Sequence, residues 1–393
     1  MSEEIRTKVK VGIIGLGNMG SGHTKSIVEG RVPNMEITAF CDLKQEKLDW
    51  GHSVCPDAAL FTDAIEMMDS GLVEAVIIAT PHYMHPVLVT EALKRNIHAL
   101  SEKPAGVFTK AVREVNELAS KSQATYAIMF NQRTNCVYRK MKEIIDSGSM
   151  GQIRRCTWII TDWYRSQSYY DSGAWRATWD GEGGGVLMNQ CPHQLDLWQW
   201  ICGMPTKVRA YCRRGKWHDI EVEDDVTAYV EYANGATGVF ITSTGDCPGS
   251  NRFEVQLDGG SLIVENGKLY MTKLEMFEQE FSKTWKNGFG TPKMERFEVP
   301  TDGFNPQHKE VLRAYAAHIL NGEPLVANGV EGIRGLTLCN AMYLSSWLDK
   351  TIELPLDEDL YLEELNKLRA TSRHKSTQDV TLDTENTYGS KQS

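Results

Sequence analysis

The sequence predicts a two-part α/β protein: a parallel sheet with helices on both faces, followed by an α+β half built on an antiparallel sheet. Three observations lead there. Strand-like and helical segments alternate through residue 130, which demands parallel strands joined by helical crossovers. Strand segments then succeed one another with short turns, the sign of antiparallel pairing. Helices resume only at 308–321 and 329–349. The expected divisions are 1–130, 131–371 and a mobile tail over 372–393, where Ser, Thr, Asp, Lys and Gln carry no apolar period.

The first strand, 8–14, runs directly into Gly15-Leu16-Gly17-Asn18-Met19-Gly20 and then into helical residues 21–29. Gly15 permits the tight turn, Gly17 admits a pyrophosphate close to the backbone, and Gly20 lets helix and strand pack closely. The helix N-terminus adds unpaired N–H groups and partial positive charge. This is the arrangement of a Rossmann sheet, with NAD as cofactor and Gly15, Gly17, Asn18 and Met19 against it. A second strand, 36–41, ends at Asp42, placed to grip the adenosine ribose diol. A carboxylate there repels a 2′-phosphate and favours NAD over NADP, a preference that Lys44 weakens.

Residues 43–50 and 64–70 read as helices. The nearly all-apolar run 73–80 reads as a strand buried on both faces. It leads through Pro81-His82-Tyr83-Met84-His85-Pro86 into a helix over 87–95. Thr80, His82 and His85 are expected along the cofactor, with both histidines toward the nicotinamide; His85 can equally cap the following helix. A strand at 98–101 delivers Glu102-Lys103-Pro104, and Thr109 is placed to cap a helix ending near 120. The strand 125–130 completes this half.

A helix over 136–147 stops at Gly148. Strands are expected at 153–161, 206–213, 225–232, 236–243, 252–257, 261–264 and 268–272, with Asn234-Gly235 as a hairpin turn.

Composition narrows the function. Hydrophobic residues make up 41% and charged residues 24%, an ordinary globular balance. A formal charge of −10 argues against nucleic acid, since phosphate binding wants a basic face. Arg213-Arg214-Gly215-Lys216 is the one obvious basic cluster and reads as a solvated turn. No run approaches the roughly 18 apolar residues of a membrane span, and no signal pattern opens the chain, so a cytoplasmic protein without a membrane partner is expected. Nine cysteines without a C-x-x-C pair read as scattered thiols, and Cys191-x-His193 lacks further ligands, so no metal is expected.

Five pieces together resemble the glucose–fructose oxidoreductase / inositol dehydrogenase / rhizopine-catabolism (Gfo/Idh/MocA) oxidoreductases. They are residues 11–20, Ala79-Thr80-Pro81 with His85, Glu102-Lys103-Pro104, Gly183-Gly184-Gly185 leading to His193, and Glu331-Gly332. The resemblance runs in family order from residue 8 to about 356. It implies an open, mostly antiparallel sheet in the second half, used for a homodimer or homotetramer. It also implies NAD(P)-linked oxidation or reduction of a sugar, glycoside or cyclitol, with Glu102 and Lys103 at the cofactor.

Hydride transfer at a carbinol carbon needs proximity, a group for the hydroxyl proton and a partner for the developing alkoxide. Lys103 lies past a strand at the carboxyl end of the sheet, where its ammonium can hold the reacting oxygen; alone it would read as a surface lysine beside Glu102. Asn189, His193 and Asp196 have helical spacing and could share one face. His193 is the natural proton shuttle, though a lone histidine is ordinarily a satisfied core residue. The resemblance carries catalytic roles to Lys103 and His193 and leaves a departure at Asn189, where the family commonly has Asp.

The segment 163–179 packs six aromatics into seventeen residues. Tyr164 and Trp175 can stack on a sugar while Arg165 and Arg176 bind hydroxyls or a carboxylate; the same aromatics can equally form the loop's own core. Asn305 and His308 are further candidates for the pocket. An NAD-retaining glycosidase, which oxidises a sugar transiently and returns the hydride, is the alternative to a dehydrogenase. A non-catalytic dinucleotide sensor would need neither Lys103 nor His193.

Overall fold

The computed structural model describes residues 7–373 and Lys375. The first sheet contains β1 (Val9–Ile14), β2 (Met35–Cys41), β3 (Ala59–Phe61), β4 (Ala75–Ile78), β5 (His98–Ser101) and β6 (Tyr126–Ile128). They lie all parallel in the order β3-β2-β1-β4-β5-β6. The crossovers carry α1 (Asn18–Val28), α2 (Gln45–Val54), α3 (Ala64–Asp69), α4 (Met84–Lys94) and α5 (Thr109–Ala119). Strand order reverses between β1 and β4, opening the crevice where doubly wound sheets bind ligands.

Three-residue β3 has no sequence signature and is held by its pairing with β2. Thr109 does not cap α5. It is the buried first residue of the helix, its N–H donates to Asn340 Oδ1 at 3.1 Å, and the cap position falls to Phe108.

The second half begins with α6 (Cys136–Asp146), β7 (Ile153–Ile160), α7 (Gln167–Tyr170), α8 (Val186–Asn189) and α9 (Pro192–Cys202). It continues through β8 (Lys207–Arg214), β9 (Glu223–Glu231), β10 (Thr237–Ser243), β11 (Asn251–Leu257), β12 (Gly260–Glu265) and β13 (Lys268–Leu274). Then come α10 (Glu278–Thr284), β14 (Met294–Glu298), α11 (His308–Asn321), α12 (Gly332–Leu348), β15 (Ile352–Glu353) and α13 (Glu358–Arg369). Nine strands form one sheet in the order β14-β13-β12-β11-β7-β10-β9-β8-β15, antiparallel except where β10 meets β7. The Asn234-Gly235 turn joins β9 to β10 with Gly235 at φ 85°, as the dipeptide predicts.

One face of this sheet is buried against α6, α9 and α12, where Trp158 stacks on Phe253 with ring centroids 4.2 Å apart. Strand alternation turns the other face outward, with Tyr211 and Tyr229 exposed on it.

The chain then crosses back. Val311, Leu312, Tyr315 and Ala316 of α11 pack with Val9, Val11 and Ile13 on one face of the first sheet. A buried guanidinium also ties the start of the second half to α9 and to the turn before α12. Arg133 donates to Asp196 through Nε at 2.8 Å and Nη2 at 2.7 Å, and to Glu331 through Nη1 at 2.8 Å. Removing one partner of such a clamp typically costs about 3–5 kcal/mol, because it strands the other charge. Of the expected tail, residue 374 and residues 376–393 lie outside the described residues, while Ser372, Arg373 and Lys375 are hydrogen-bonded to the body.

Candidate active site

The glycine loop at the end of β1 is built for close approach. Gly15 sits at φ 90°, and a Cβ there would lie 2.6 Å from the Ala79 carbonyl oxygen. At Gly20 a Cβ would come within 1.8 Å of the Gly15 oxygen, so helix and loop fit only with glycine. Around Gly17 there is open space instead, with nothing within 4 Å of an added Cβ. Helix α1 starts at exposed Asn18 and Met19 with no side-chain cap and no acid in its first turn. Its leading N–H groups therefore face that space with their charge uncompensated, which suits a pyrophosphate.

Asp42 emerges from β2 and accepts the Leu16 N–H on Oδ2 at 2.7 Å and the Lys44 N–H on Oδ1 at 3.0 Å. It fixes the loop and holds a carboxylate beside it. Thr80 follows β4, and its Oγ1 is buried without a partner. These residues fit NAD: an uncapped helix, a glycine cradle, an acid at the ribose position and an orphan hydroxyl.

His85 is fully buried between two turns, its Nδ1 2.7 Å from the Pro104 oxygen and its Nε2 2.7 Å from the Thr80 oxygen. Burial pushes its pKa down and outweighs the two carbonyls, which favour the charged ring. It joins the Thr80 turn to the Lys103-Pro104 turn. His82 is placed differently: its Nδ1 lies 3.0 Å from the Glu182 oxygen and its ring meets the Trp175 ring edge-on.

Glu102 and Lys103 leave β5 into the same crevice. Burial would raise the Glu102 pKa, but the hydrogen bond with His23 Nε2 at 2.8 Å, with His23, His308 and Lys103 around it, brings it down to about 2. Lys103 donates from Nζ to the Asn189 carbonyl oxygen at 3.0 Å. Burial lowers its pKa while Glu102 and Glu182 support its charge.

His193 lies in the field of these groups. Burial first, then Lys103 and His308, hold its pKa well below the ordinary histidine value, and its Nδ1 is buried without a partner. His308 begins α11, and burial takes its own pKa to about 4. Asn305 lies just before it.

The expectation of one helical face carrying Asn189, His193 and Asp196 is corrected. Two short helices meet here, α8 ending at Asn189 and α9 starting at Pro192, because proline has no N–H to continue a helix and suits its first turn. Asp196 faces away, in the clamp with Arg133. The Asn189 side chain does not reach His193 either; its Nδ2 donates to Glu182.

Glu182 is the acid that sequence reasoning missed. It is buried, accepts the Ala177 N–H at 2.6 Å, and faces Arg176 Nη1 at 3.7 Å. Burial raises its pKa against the opposing pull of Arg176, Ala177, Asn189 and Lys103. Its neighbour Gly183 allows the approach, since a Cβ there would strike Val107 at 2.3 Å. An isolated acid among glycines reads as a turn, and only its burial distinguishes it.

Tyr169 and Gln190, also missed, complete the wall. Tyr169 Oη accepts from Arg176 Nη1 at 2.8 Å and Gln190 Nε2 at 3.0 Å. Arg165 and Arg176 lie over the Tyr169 ring, and Arg176 also lies over Trp175. Tyr164 sits at the rim, half exposed. Part of the aromatic segment is thus the loop's own core, with Trp163, Tyr170 and Trp179 buried, and part lines the crevice.

A glycine cradle at the switch point of a parallel sheet, with a lysine and a histidine from two further elements close to one another, defines a dinucleotide-binding fold with ionisable groups beside the sheet's carboxyl ends. The chain belongs to the GFO/IDH/MocA oxidoreductase family. The model described as an oxidoreductase family NAD-binding Rossmann fold matches residues 9–130, and that of the GFO/IDH/MocA C-terminal domain matches 138–263. An inositol 2-dehydrogenase from Rubrobacter xylanophilus is 28% identical over 195 residues, 49% of this chain and 52% of that protein. The chain spans 60% of another curated relative it matches.

The WlbA dehydrogenase from Bordetella pertussis, solved with NADH and UDP-GlcNAcA, superimposes with a TM-score of 0.74 at 24% identity, covering 89% of this chain and 100% of that one. A levoglucosan dehydrogenase in complex with NADH gives 0.73 at 18% identity, covering 89% and 100%. At these identities the likeness to the solved structures is one of fold. It bears out the parallel Rossmann sheet followed by a mostly antiparallel open sheet.

Proposed function

We propose that the protein is an NAD-dependent oxidoreductase that moves a hydride between nicotinamide and a hydroxyl-bearing carbon of a sugar or cyclitol. The observation that carries this reading is the convergence of Lys103, His193 and Glu182 on one crevice, with His193 held neutral. NAD, when bound, supplies the hydride acceptor. The Lys103 ammonium, anchored on the Asn189 carbonyl, holds the reacting oxygen and stabilises its negative charge. Neutral His193 takes the hydroxyl proton on Nε2, since Nδ1 is sealed in. Glu182 supplies the negative charge that the family commonly places at position 189, and it acts on Lys103 and Arg176 rather than on His193.

One observation favours a second reading, the redox-neutral glycosidase. Burial raises the Glu182 pKa, and a carboxyl shifted in that direction is better suited to protonate a departing aglycone than an ordinary one. Incubation with sugars, cyclitols and aryl glycosides separates the two. The dehydrogenase gives NADH absorbance in proportion to substrate; the glycosidase releases aglycone with no net NADH. Neither signal from any compound would sink both.

A cytoplasmic homodimer or homotetramer joined through the open sheet face accords with the exposed Tyr211 and Tyr229. No helix among the described residues is long and apolar enough to cross a membrane. Light scattering on the purified protein gives the mass; a monomer would remove the oligomer.

A further inference from the structure

The aromatic wall around Tyr169 contains a cation that the proposed chemistry does not use. Arg165 donates from Nη1 to the carbonyl oxygens of Tyr164 at 2.9 Å and Trp163 at 3.4 Å, and it joins no ion pair among the described residues. The other cations of the wall are matched: Arg176 faces Glu182, and Lys103 adjoins Glu102. In a chain of formal charge −10, an unmatched guanidinium over the ring whose hydroxyl Arg176 and Gln190 contact is an asymmetry with a chemical meaning.

Its position is fixed from all sides. The Arg165 N–H donates to the Thr244 oxygen at 2.9 Å, and the Arg165 oxygen lies 2.8 Å from His218 Nε2. His218 is itself held by buried Asp224, 2.9 Å from its Nδ1. The guanidinium is steadied over two rings, 5.6 Å from the Trp163 centroid and 5.1 Å from that of Tyr169. A charged group so immobilised has already lost the freedom it would otherwise lose on binding.

Two neighbouring polar atoms are also left open. A phenolic oxygen accepts two hydrogen bonds and donates one. Tyr169 accepts from Arg176 and Gln190, and its own O–H has no acceptor among the described residues. Gln190 Oε1 is buried without a donor. Together they offer one donor and one acceptor next to a fixed cation, which matches an oxyanion flanked by a hydroxyl.

We infer that Arg165 and the Tyr169 hydroxyl bind an anionic group of the substrate, which is therefore a sugar acid or a sugar phosphate rather than a neutral sugar. The inference rests on the oxidoreductase reading for the word substrate, and on the wall alone for the anion.

The test uses the full chain saturated with NAD and titrates D-glucuronate, D-glucose 6-phosphate and D-glucose calorimetrically. One anionic sugar is expected to bind about tenfold or more tighter than glucose, the scale of a charge-assisted hydrogen bond. A preference for glucuronate identifies a carboxylate, one for the phosphate a phosphoryl group. Arg165→Gln should abolish the preference, and Arg165→Lys should keep part of it while both variants retain NAD affinity. Equal binding of glucose, no binding by any of the three, or an unchanged preference in Arg165→Gln overturns the inference. NADH formation on the same panel keeps the two readings apart: neutral sugars oxidised without discrimination remove the anion site and leave the oxidoreductase. Arg165-dependent anion binding with no NADH from any sugar does the reverse.

Discussion

Lys103 and Asn189 are joined through the backbone: the lysine Nζ donates to the asparagine carbonyl oxygen at 3.0 Å. Lys103 is therefore aimed by the last residue of α8, while the Asn189 side chain is spent on Glu182. The site is assembled from segments far apart in the chain that meet only in the folded protein.

Lys103→Met should leave NAD affinity, followed by NADH fluorescence, within a few fold. Turnover should drop by at least about a hundredfold, the scale of a lost oxyanion partner. Turnover near that of the parent would make Lys103 structural.

Replacing Asn189 by Asp restores the residue common in the family, but here it sets a second carboxylate against Glu182. Two buried carboxylates in contact raise one another's pKa. A pKa raised on folding means stability that is full below the unfolded value of about 4.3 and lost as pH rises through the folded value. The Tm deficit of Asn189→Asp should thus be larger at pH 8 than at pH 5. Equal deficits would mean that the side chains do not meet. Glu182→Gln in the same background should remove the pH dependence.

Asp42→Ala removes the carboxylate proposed to hold the ribose together with the support of the Leu16 N–H. NAD affinity should fall about tenfold or more, and the gap between NAD and NADP should narrow. Unchanged NAD binding would assign Asp42 to the loop alone.

Much of this was legible in the residues. The Rossmann half follows from alternating segments and one glycine loop, because each β-α unit is local in sequence. The hairpin at Asn234-Gly235 is equally local. Strands β14 and β15 escaped because only their pairing defines them: Met294–Glu298 is exposed throughout and takes its register from β13. The break between α8 and α9 was visible in Pro192 but was overridden by the spacing of Asn189, His193 and Asp196. Glu182, Tyr169 and Gln190 were illegible for a different reason. Their meaning lies in burial and in partners far along the chain, and no spacing rule encodes that.

His193 offers the most direct test of the mechanism. Oxidation needs the neutral ring, and burial, Lys103 and His308 all keep it neutral by lowering its pKa. For oxidation, kcat/KM should therefore stay level from pH 8 down to about 6.5, with its acidic limb below the ordinary histidine value. A limb at or above that value would contradict the buried geometry. Removing the Lys103 charge takes away one of the groups that opposes protonation, so in Lys103→Met the His193 titration should move upward. Carbon-13 labelled histidine would report this by NMR even though that variant turns over slowly. His193→Ala should lose about 10²- to 10⁴-fold in turnover while still binding NADH, because general acid–base help is worth that much and the Asn189 side chain is turned away toward Glu182. A fully active His193→Ala would assign the proton to another group, with Glu182 the first to examine, since it too lies in the field of Lys103 with a raised pKa.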